Sequence, residues 1–297
     1  MIVAKLMGGL GNQMFQYALG RHLALKHGVP LKVDLDFLLR ESRSVPDTTP
    51  HDYNLPHFHV AAEPSTVAET SVLKLPVARG WRRQLRRVQQ MLAPGSLTHV
   101  LERGLAFDPR VLRAGPDVYL EGYWQSPRYF EPVAAQIRAD FELRDGPDGR
   151  NAALLLDIAD SEAVAVHVRR GDYITSPGAA RVHGLCGLDY YEAALAEIAR
   201  RVRVPRFFLF SDDPAWVQAN LRVPGTATMI THNGPRPWED LRLMRACRHF
   251  VIANSSFSWW GAWLSAAPGK IVIAPRRWAL ESGLNVATRH PPEWQTL

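Results

Sequence analysis

Four short segments concentrate the side chains able to do chemistry: "GGLGNQ" (8–13), "HVRRGDY" (167–173), "SDD" (211–213) and "NSSFSWW" (254–260). In "AVAVHVRR" the alternation sets Val164, Val166 and Val168 on one face and Ala165, His167 and Arg169 on the other. His167 and Arg169 therefore leave the strand in one direction and Arg170 in the opposite one. An arginine at a strand end can fork onto a diphosphate with parallel N–H donors. Arg170 and Asp172 can pair with each other or with neighbours to hold the loop, and a purely structural ion-pair cluster stays open for the segment.

"NSSFSWW" follows one apolar run and opens another. Ser255 and Ser256 can cap a helix there, and the same helix end attracts phosphate through its unpaired N–H groups and the macrodipole. Trp259, Trp260 and Trp263 read as core. "GGLGNQ" is not a dinucleotide fingerprint, because Met14 stands where a glycine is needed, and it lacks the Lys-Ser/Thr ending of a P-loop. Gly9 and Gly11 permit either a tight turn or a close approach of backbone to a ligand. Asn12 and Gln13 then sit at a helix start, where their amides can reach that ligand. "DLD" (34–36) reads as the polar face of a strand rather than a metal pair, and no His/Cys/Asp cluster has metal spacing, so no metal is expected.

The elements that position these residues follow from periodicity. "IVAKLM", "NQMFQYALGRHLALKH" and "LKVDLDF" read as strand, helix and strand, a βαβ unit that implies a parallel sheet. Gly28 and Pro30 stop the helix, and Leu31, Val33, Leu35 and Phe37 share a strand face. Residues 38–120 show Pro-rich joints and no strong alternation. Within them Trp81, Leu85, Val88 and Leu92 define one helical face, with Arg79, Arg82, Arg83, Arg86 and Arg87 mostly off it. That pattern suits a helix packed on its domain, or one touching anionic lipid or glycan.

After residue 150 strands and helices alternate again. "AVAVHV", "RFFLFS", "HFVIA" and "KIVIAP" are strands. "LDYYEAALAEIARRV", capped by Asp189, "DDPAWVQANL", capped by Asp213 with Pro214 in first position, "PWEDLRLMRAC" and "SSFSWWGAWLSAA", closed by Gly269, are helices. The expected organisation is two domains, 1–150 and 151–297, the second doubly wound. In open parallel sheets ligands gather at the carboxyl ends of strands, where all four segments fall.

The composition, 46% apolar and 22% charged, is that of a globular protein with a substantial core. Its net charge of +6 favours anionic partners without choosing among nucleic acid, anionic lipid and a nucleotide sugar. Two distant cysteines, Cys186 and Cys247, suggest a reducing compartment. The N-terminus does not read as a signal peptide and no stretch is long and apolar enough to span a bilayer, so a cytoplasmic protein is expected, with peripheral membrane contact left open.

"GGLGNQMFQYALGRHLA", "LEGYWQSPRYF", "HVRRGDY", "LDYYEAAL", "FLFSDD" and "NSSFSWWGAWL", in this order and spacing, resemble the bacterial α-1,2-fucosyltransferases of glycosyltransferase family eleven, and more distantly the protein O-fucosyltransferases. The resemblance spans nearly the whole chain except roughly 40–115. It implies an α/β, GT-B-type fold with two Rossmann-like domains facing a cleft, the first on the acceptor side and the second binding GDP-fucose. It also implies transfer of L-fucose to the 2-hydroxyl of a galactose-terminated glycan with inversion, no metal, no cofactor beyond the GDP-fucose co-substrate, and no nucleic-acid partner. O-antigen assembly is the usual setting.

By that resemblance Arg169 binds the β-phosphate and Asn12 faces the reacting centre. Asp172 and a substrate phosphate are the candidates for the base. The backbone of His167 helps hold the guanine nucleotide. Asn254, Ser255, Ser256 and Phe257 line the diphosphate site, and Gly9, Gly11 and Gln13 of the glycine turn also bind the donor. Arg170, Asp212 and Asp213 serve the nucleotide pocket or support its loop. A different linkage, another GDP-sugar, or a non-enzymatic glycan- or anion-binding protein are the alternatives.

Overall fold

The opening strand β1 (Ile2–Lys5) is buried along its whole length, so it needs partners on both edges and cover on both faces. In this computed structural model, which describes residues 1–44, 49–74, 81, 88, 97–171, 184–279 and 288–297, those partners are parallel strands. Helix α1 (Leu10–His27) follows and ends at Gly28, whose φ of 63° closes the helix with its N–H on Ala24 and Leu25 carbonyls. Then come β2 (Leu31–Asp34), α2 (Asp36–Leu39), β3 (Glu63–Pro64), α3 (Val67–Leu73), β4 (His99–Leu101), β5 (Val118–Glu121) and α4 (Ala134–Asp140). The strands form a parallel sheet in the order β3-β2-β1-β5-β4.

The second sheet is built from α5 (Gly149–Ala159), β6 (Glu162–Val168), α6 (Leu188–Arg201), β7 (Pro205–Ser211), α7 (Pro214–Asn220), β8 (Thr226–Ile230), α8 (Pro237–Ala246), β9 (His249–Val251), α9 (Ser256–Leu264), β10 (Val272–Ala274) and β11 (Gln295–Thr296). Its order is β11-β10-β9-β6-β7-β8, again all parallel. Counted from β6, that is the doubly wound order in which the chain reverses direction across the sheet between its first and fourth strands, here β6 and β9. Val164, Val166 and Val168 pack with Tyr191, Leu195 and Ile198 of α6 and with Phe207 and Leu209 of β7. Trp259 and Trp260 are fully buried and Trp263 nearly so, as their reading as core requires.

By contact the chain divides into two units. One takes Met1–Pro46, Pro50–Glu142 and Leu284–His290; the other takes Asp47–Thr49, Leu143–Gly283 and Pro291–Leu297.

Several elements differ from the sequence expectation. β2 stops at Asp34 instead of running to Phe37, because the buried Asp34 turns the chain: its Oδ1 accepts the Asp36 N–H at 3.0 Å and its Oδ2 accepts the Tyr119 hydroxyl at 2.6 Å. Asp34 is thus an interior anchor and not a solvated strand face. Gly187, not Asp189, caps α6, and Asp189 lies in the first turn, where the helix dipole favours it. α9 ends at Leu264, ahead of Gly269, since Ser265 turns extended and its hydroxyl donates to the Cys247 carbonyl at 2.9 Å. Of the Arg-rich segment, Trp81 and Val88 are described and both are exposed; Leu85, Leu92 and the arginines lie outside the described residues.

Candidate active site

In the second unit the reversal between β6 and β9 opens the sheet edge where ligands of this architecture bind. The register sets Val166 beside Val251 and Val168 beside Ser211. The "HVRR", "SDD" and "NSSF" segments therefore leave three adjacent strands at one edge. His167 and Phe257 meet there with ring centroids 5.8 Å apart. Ser255 caps α9, its hydroxyl accepting the Phe257 N–H at 3.3 Å. No acidic side chain sits in the first turn of α9, so the positive end of its dipole is left uncancelled. Ser256 and Phe257 are half-buried at that end, and Asn254 and Ser255 are buried.

Arg169 is held rather than left to wander. Its Nε pairs with Asp212 Oδ2 at 3.1 Å, while Asp212 Oδ1 accepts the Arg170 backbone N–H at 2.8 Å. Arg170 takes the opposite direction, as the pleat demands. Its guanidinium lies 3.8 Å above the Trp216 ring and its Nε is 3.5 Å from Asp213 Oδ2, a cation–π and ion-pair anchor. Asp213 also caps α7 through the Trp216 N–H at 3.1 Å. Both aspartates thus support the loop that carries Arg169.

His167 is buried, its carbonyl accepts the Tyr191 hydroxyl at 3.1 Å, and its Nδ1 has no hydrogen-bond partner among the described residues. Burial, then the adjacent Arg169 charge, pushes its pKa down to about 3, so the ring is neutral. Asn254 pins neighbouring segments, its Nδ2 donating to the Gly184 carbonyl at 3.2 Å. Asp172 lies outside the described residues.

The first unit repeats the logic. Its sheet reverses between β1 and β5, and the loops leaving those strands carry "GGLGNQ" and "GYWQS". Gly9 occupies the cap position of α1, with Gly11, Asn12 and Gln13 in the first turn. Gly8 has φ +73°, and a Cβ there would lie 2.5 Å from Asn12 Nδ2; only glycine suits the position. Gln13 turns inward. Its Nε2 donates to the carbonyls of Gly8 at 3.0 Å and Asp52 at 2.8 Å, and its Oε1 accepts the Asn54 N–H at 3.1 Å. Fully buried, it positions the turn and the 52–54 segment instead of offering its amide to a ligand. Asn12 is half-buried, and its Oδ1 accepts from Gln125 Nε2 at 2.6 Å.

Three features escaped the sequence reading. Gln125 lay inside a quoted motif without a role. Glu102 accepts the Tyr123 and Trp124 N–H groups at 2.6 and 2.9 Å, holding a turn in which Trp124 has φ 54°; burial raises its pKa despite those donors. At the carboxyl end of β8, Asn151 Nδ2 donates to Asn233 Oδ1 at 2.9 Å and Asn233 Nδ2 to Asp240 Oδ1 at 2.7 Å; burial lifts the Asp240 carboxyl to about 6. Among the described residues no three His, Cys, Asp or Glu side chains are grouped so as to hold a metal ion, and no helix is long and apolar enough to cross a membrane.

Comparison with known proteins follows the same lines. Residues 103–297 match the family model of glycosyl transferase family 11. The chain is 30% identical to an alpha-1,2-colitosyltransferase of Escherichia coli, covering 99% of this chain and 97% of that protein. It is 29% identical to the O-antigen biosynthesis glycosyltransferase WbnK of Escherichia coli, covering 92% and 93%. Among solved structures, the NodZ alpha-1,6-fucosyltransferase co-crystallized with GDP superposes with a TM-score of 0.52 at 15% identity, covering 92% of this chain and 94% of that one, a likeness of fold.

Proposed function

Because the chain belongs to glycosyl transferase family 11, and is a glycosyltransferase, we propose that it moves L-fucose from GDP-fucose to the 2-hydroxyl of a terminal galactoside, with inversion and without a metal ion. The observation that carries this reading is topological: β6 and β9, the neighbouring strands of the reversal in the second sheet, lead into Arg169 and into the N-terminus of α9, and His167 meets Phe257 between them.

As the bond between fucose C1 and the phosphate oxygen breaks, negative charge builds on the β-phosphate. In this reading Arg169, fixed by Asp212, and the α9 end with Ser255 and Ser256 stabilise that charge, the part a divalent cation would otherwise play. The acceptor oxygen attacks C1 from the opposite side, which inverts the centre. The acceptor's proton passes to a donor phosphate oxygen or to Asp172. His167, neutral and packed on Phe257, adds no second positive charge and shapes the wall beside the nucleotide. The first unit takes the acceptor, with Asn12 at the reacting centre. A cavity of about 400 Å³ at the carboxyl ends of β2 and β3, lined among others by Asp36, Arg40, Ser65 and Lys74, is available for more distant acceptor sugars. The cleft expected between two Rossmann-like halves and a cytoplasmic setting, with reversible contact to a membrane-held acceptor, belong to this proposal.

The colitosyltransferase relative favours one second reading, a GDP-colitose donor. Colitose is fucose without its 3-hydroxyl, so the choice rests on whether a polar group in the site answers that hydroxyl. A screen of GDP-fucose, GDP-colitose and GDP-mannose against β-galactosides, with product linkage read by NMR, tests both. An α-1,2-fucoside is expected; transfer only from GDP-colitose selects the second reading, and a different linkage or no turnover overturns both.

A further inference from the structure

Asn12 is the end of a hydrogen-bonded chain whose direction is fixed at its other end. Arg289 is almost completely buried, 2% exposed, in a segment that folds with the first unit. Its Nη1 donates to Gln125 Oε1. A guanidinium has donors only, so Gln125 must turn its oxygen to Arg289 and its Nε2 to Asn12. Asn12 must then offer Oδ1 to Gln125, the 2.6 Å bond observed, which leaves Nδ2 pointing away, over Gly8. Gln125 itself is fixed in register by Glu102, which clamps the two preceding amides.

We infer that Arg289 and Gln125 are positioning residues that lock Asn12 with its NH₂ toward the substrate, so that Asn12 serves the transfer as a hydrogen-bond donor to a substrate oxygen and never as a proton acceptor. The inference rests on the proposed placement of Asn12 at the reacting centre. Its chemical consequence is definite. The atom opposite Asn12 carries a lone pair, on the attacking hydroxyl oxygen or on the donor sugar and its phosphate, and the acceptor proton leaves by another route.

The test reverses the polarity while keeping the shape. In Gln125→Glu one carboxylate oxygen still accepts from Arg289, but the other is an acceptor, so Asn12 must flip and present Oδ1. Turnover should fall about 10²-fold, the size of loss typical for one transition-state donor, with the KM for the GDP-sugar and the melting temperature close to wild type. The double variant Q125E/N12A should be no slower than N12A alone, because both remove the same donor. Wild-type kcat in Q125E beside a crippled N12A overturns the inference, as do losses that add in the double variant, the mark of a merely structural role. Should Q125E not fold, Asn12→Asp asks the same question: Gln125 can still donate to it, and it should be as slow as N12A, whereas retained activity refutes the donor assignment. Failure of the wild-type chain to transfer from any GDP-sugar overturns the functional reading beneath, and a fully active N12A overturns the placement of Asn12.

Discussion

Replacing Asp212 by Asn separates what Arg169 does from what holds it. Asp212 does two things: its Oδ2 pairs with Arg169 Nε at 3.1 Å and its Oδ1 accepts the Arg170 N–H at 2.8 Å. Asparagine can keep the backbone bond but carries no charge, and its NH₂ then opposes the guanidinium, so the ion pair is lost. A charged contact of this kind contributes up to about 3 kcal/mol when well shielded. With the two side chains 28% and 24% exposed, solvent screening reduces this to about 1–2 kcal/mol. If that energy serves to keep Arg169 aimed, kcat/KM falls about 5- to 30-fold, since about 1.4 kcal/mol is a factor of ten. Arg169→Ala, which removes the charge itself, should cost about 10²–10³. Initial rates with the GDP-sugar, beside calorimetric titration of GDP, read both variants on one scale, and circular dichroism checks folding. Asp212→Asn as inactive as Arg169→Ala would mean that Asp212 touches the nucleotide directly. An unchanged rate would mean that Arg169 needs no holder. Either result refutes the division of labour.

Acid sensitivity should come from histidine. Burial, then the Arg169 charge, holds His167 down to about 3 in the fold against the ordinary 6.5 of histidine, so the unfolded chain binds the extra proton between those values. Its contribution to stability is complete above about pH 6.5 and lost as pH falls toward 3; His167→Phe should flatten the melting-temperature profile in that window, and an unaltered slope contradicts the assignment. Asp240 has the opposite sign: its folded pKa is raised to about 6 from 3.8, so stability is lost as pH rises through that range. Asp240→Asn should therefore stabilise the fold at pH 7.5 by about 1–3 kcal/mol, a gain that vanishes near pH 4 in denaturant titrations; destabilisation at pH 7.5 would reject it. Turnover in excess EDTA should equal that in buffer, and a loss restored by Mn²⁺ would overturn the metal-free mechanism.

What the sequence could reveal was local. The pleat of "AVAVHVRR" sends His167 and Arg169 one way and Arg170 the other, and the structure shows Arg170 on Trp216 while His167 meets Phe257. The helix starts at Pro214 and Ser256 were legible because capping chemistry is written in adjacent residues. Strands β3, β4 and β5 were not, because they lie in or at the end of the stretch of Pro-rich joints after residue 38, where no apolar run or alternation marks them. Asp34 was misread because its partner, the Tyr119 hydroxyl, is 85 positions away. Gln13 and Gln125 look alike in sequence, yet one is locked inside a turn and the other reaches Asn12. The Arg289 contact that gives Gln125 its direction spans 164 positions, beyond any periodicity.

A crystal structure of the chain with GDP bears most directly on the mechanism. The pyrophosphate should be seated on the second sheet, its β-phosphate hydrogen-bonded to the Arg169 guanidinium and to the first turn of α9 at Ser255–Phe257. A nucleotide bound with its phosphates away from both groups would contradict the mechanism.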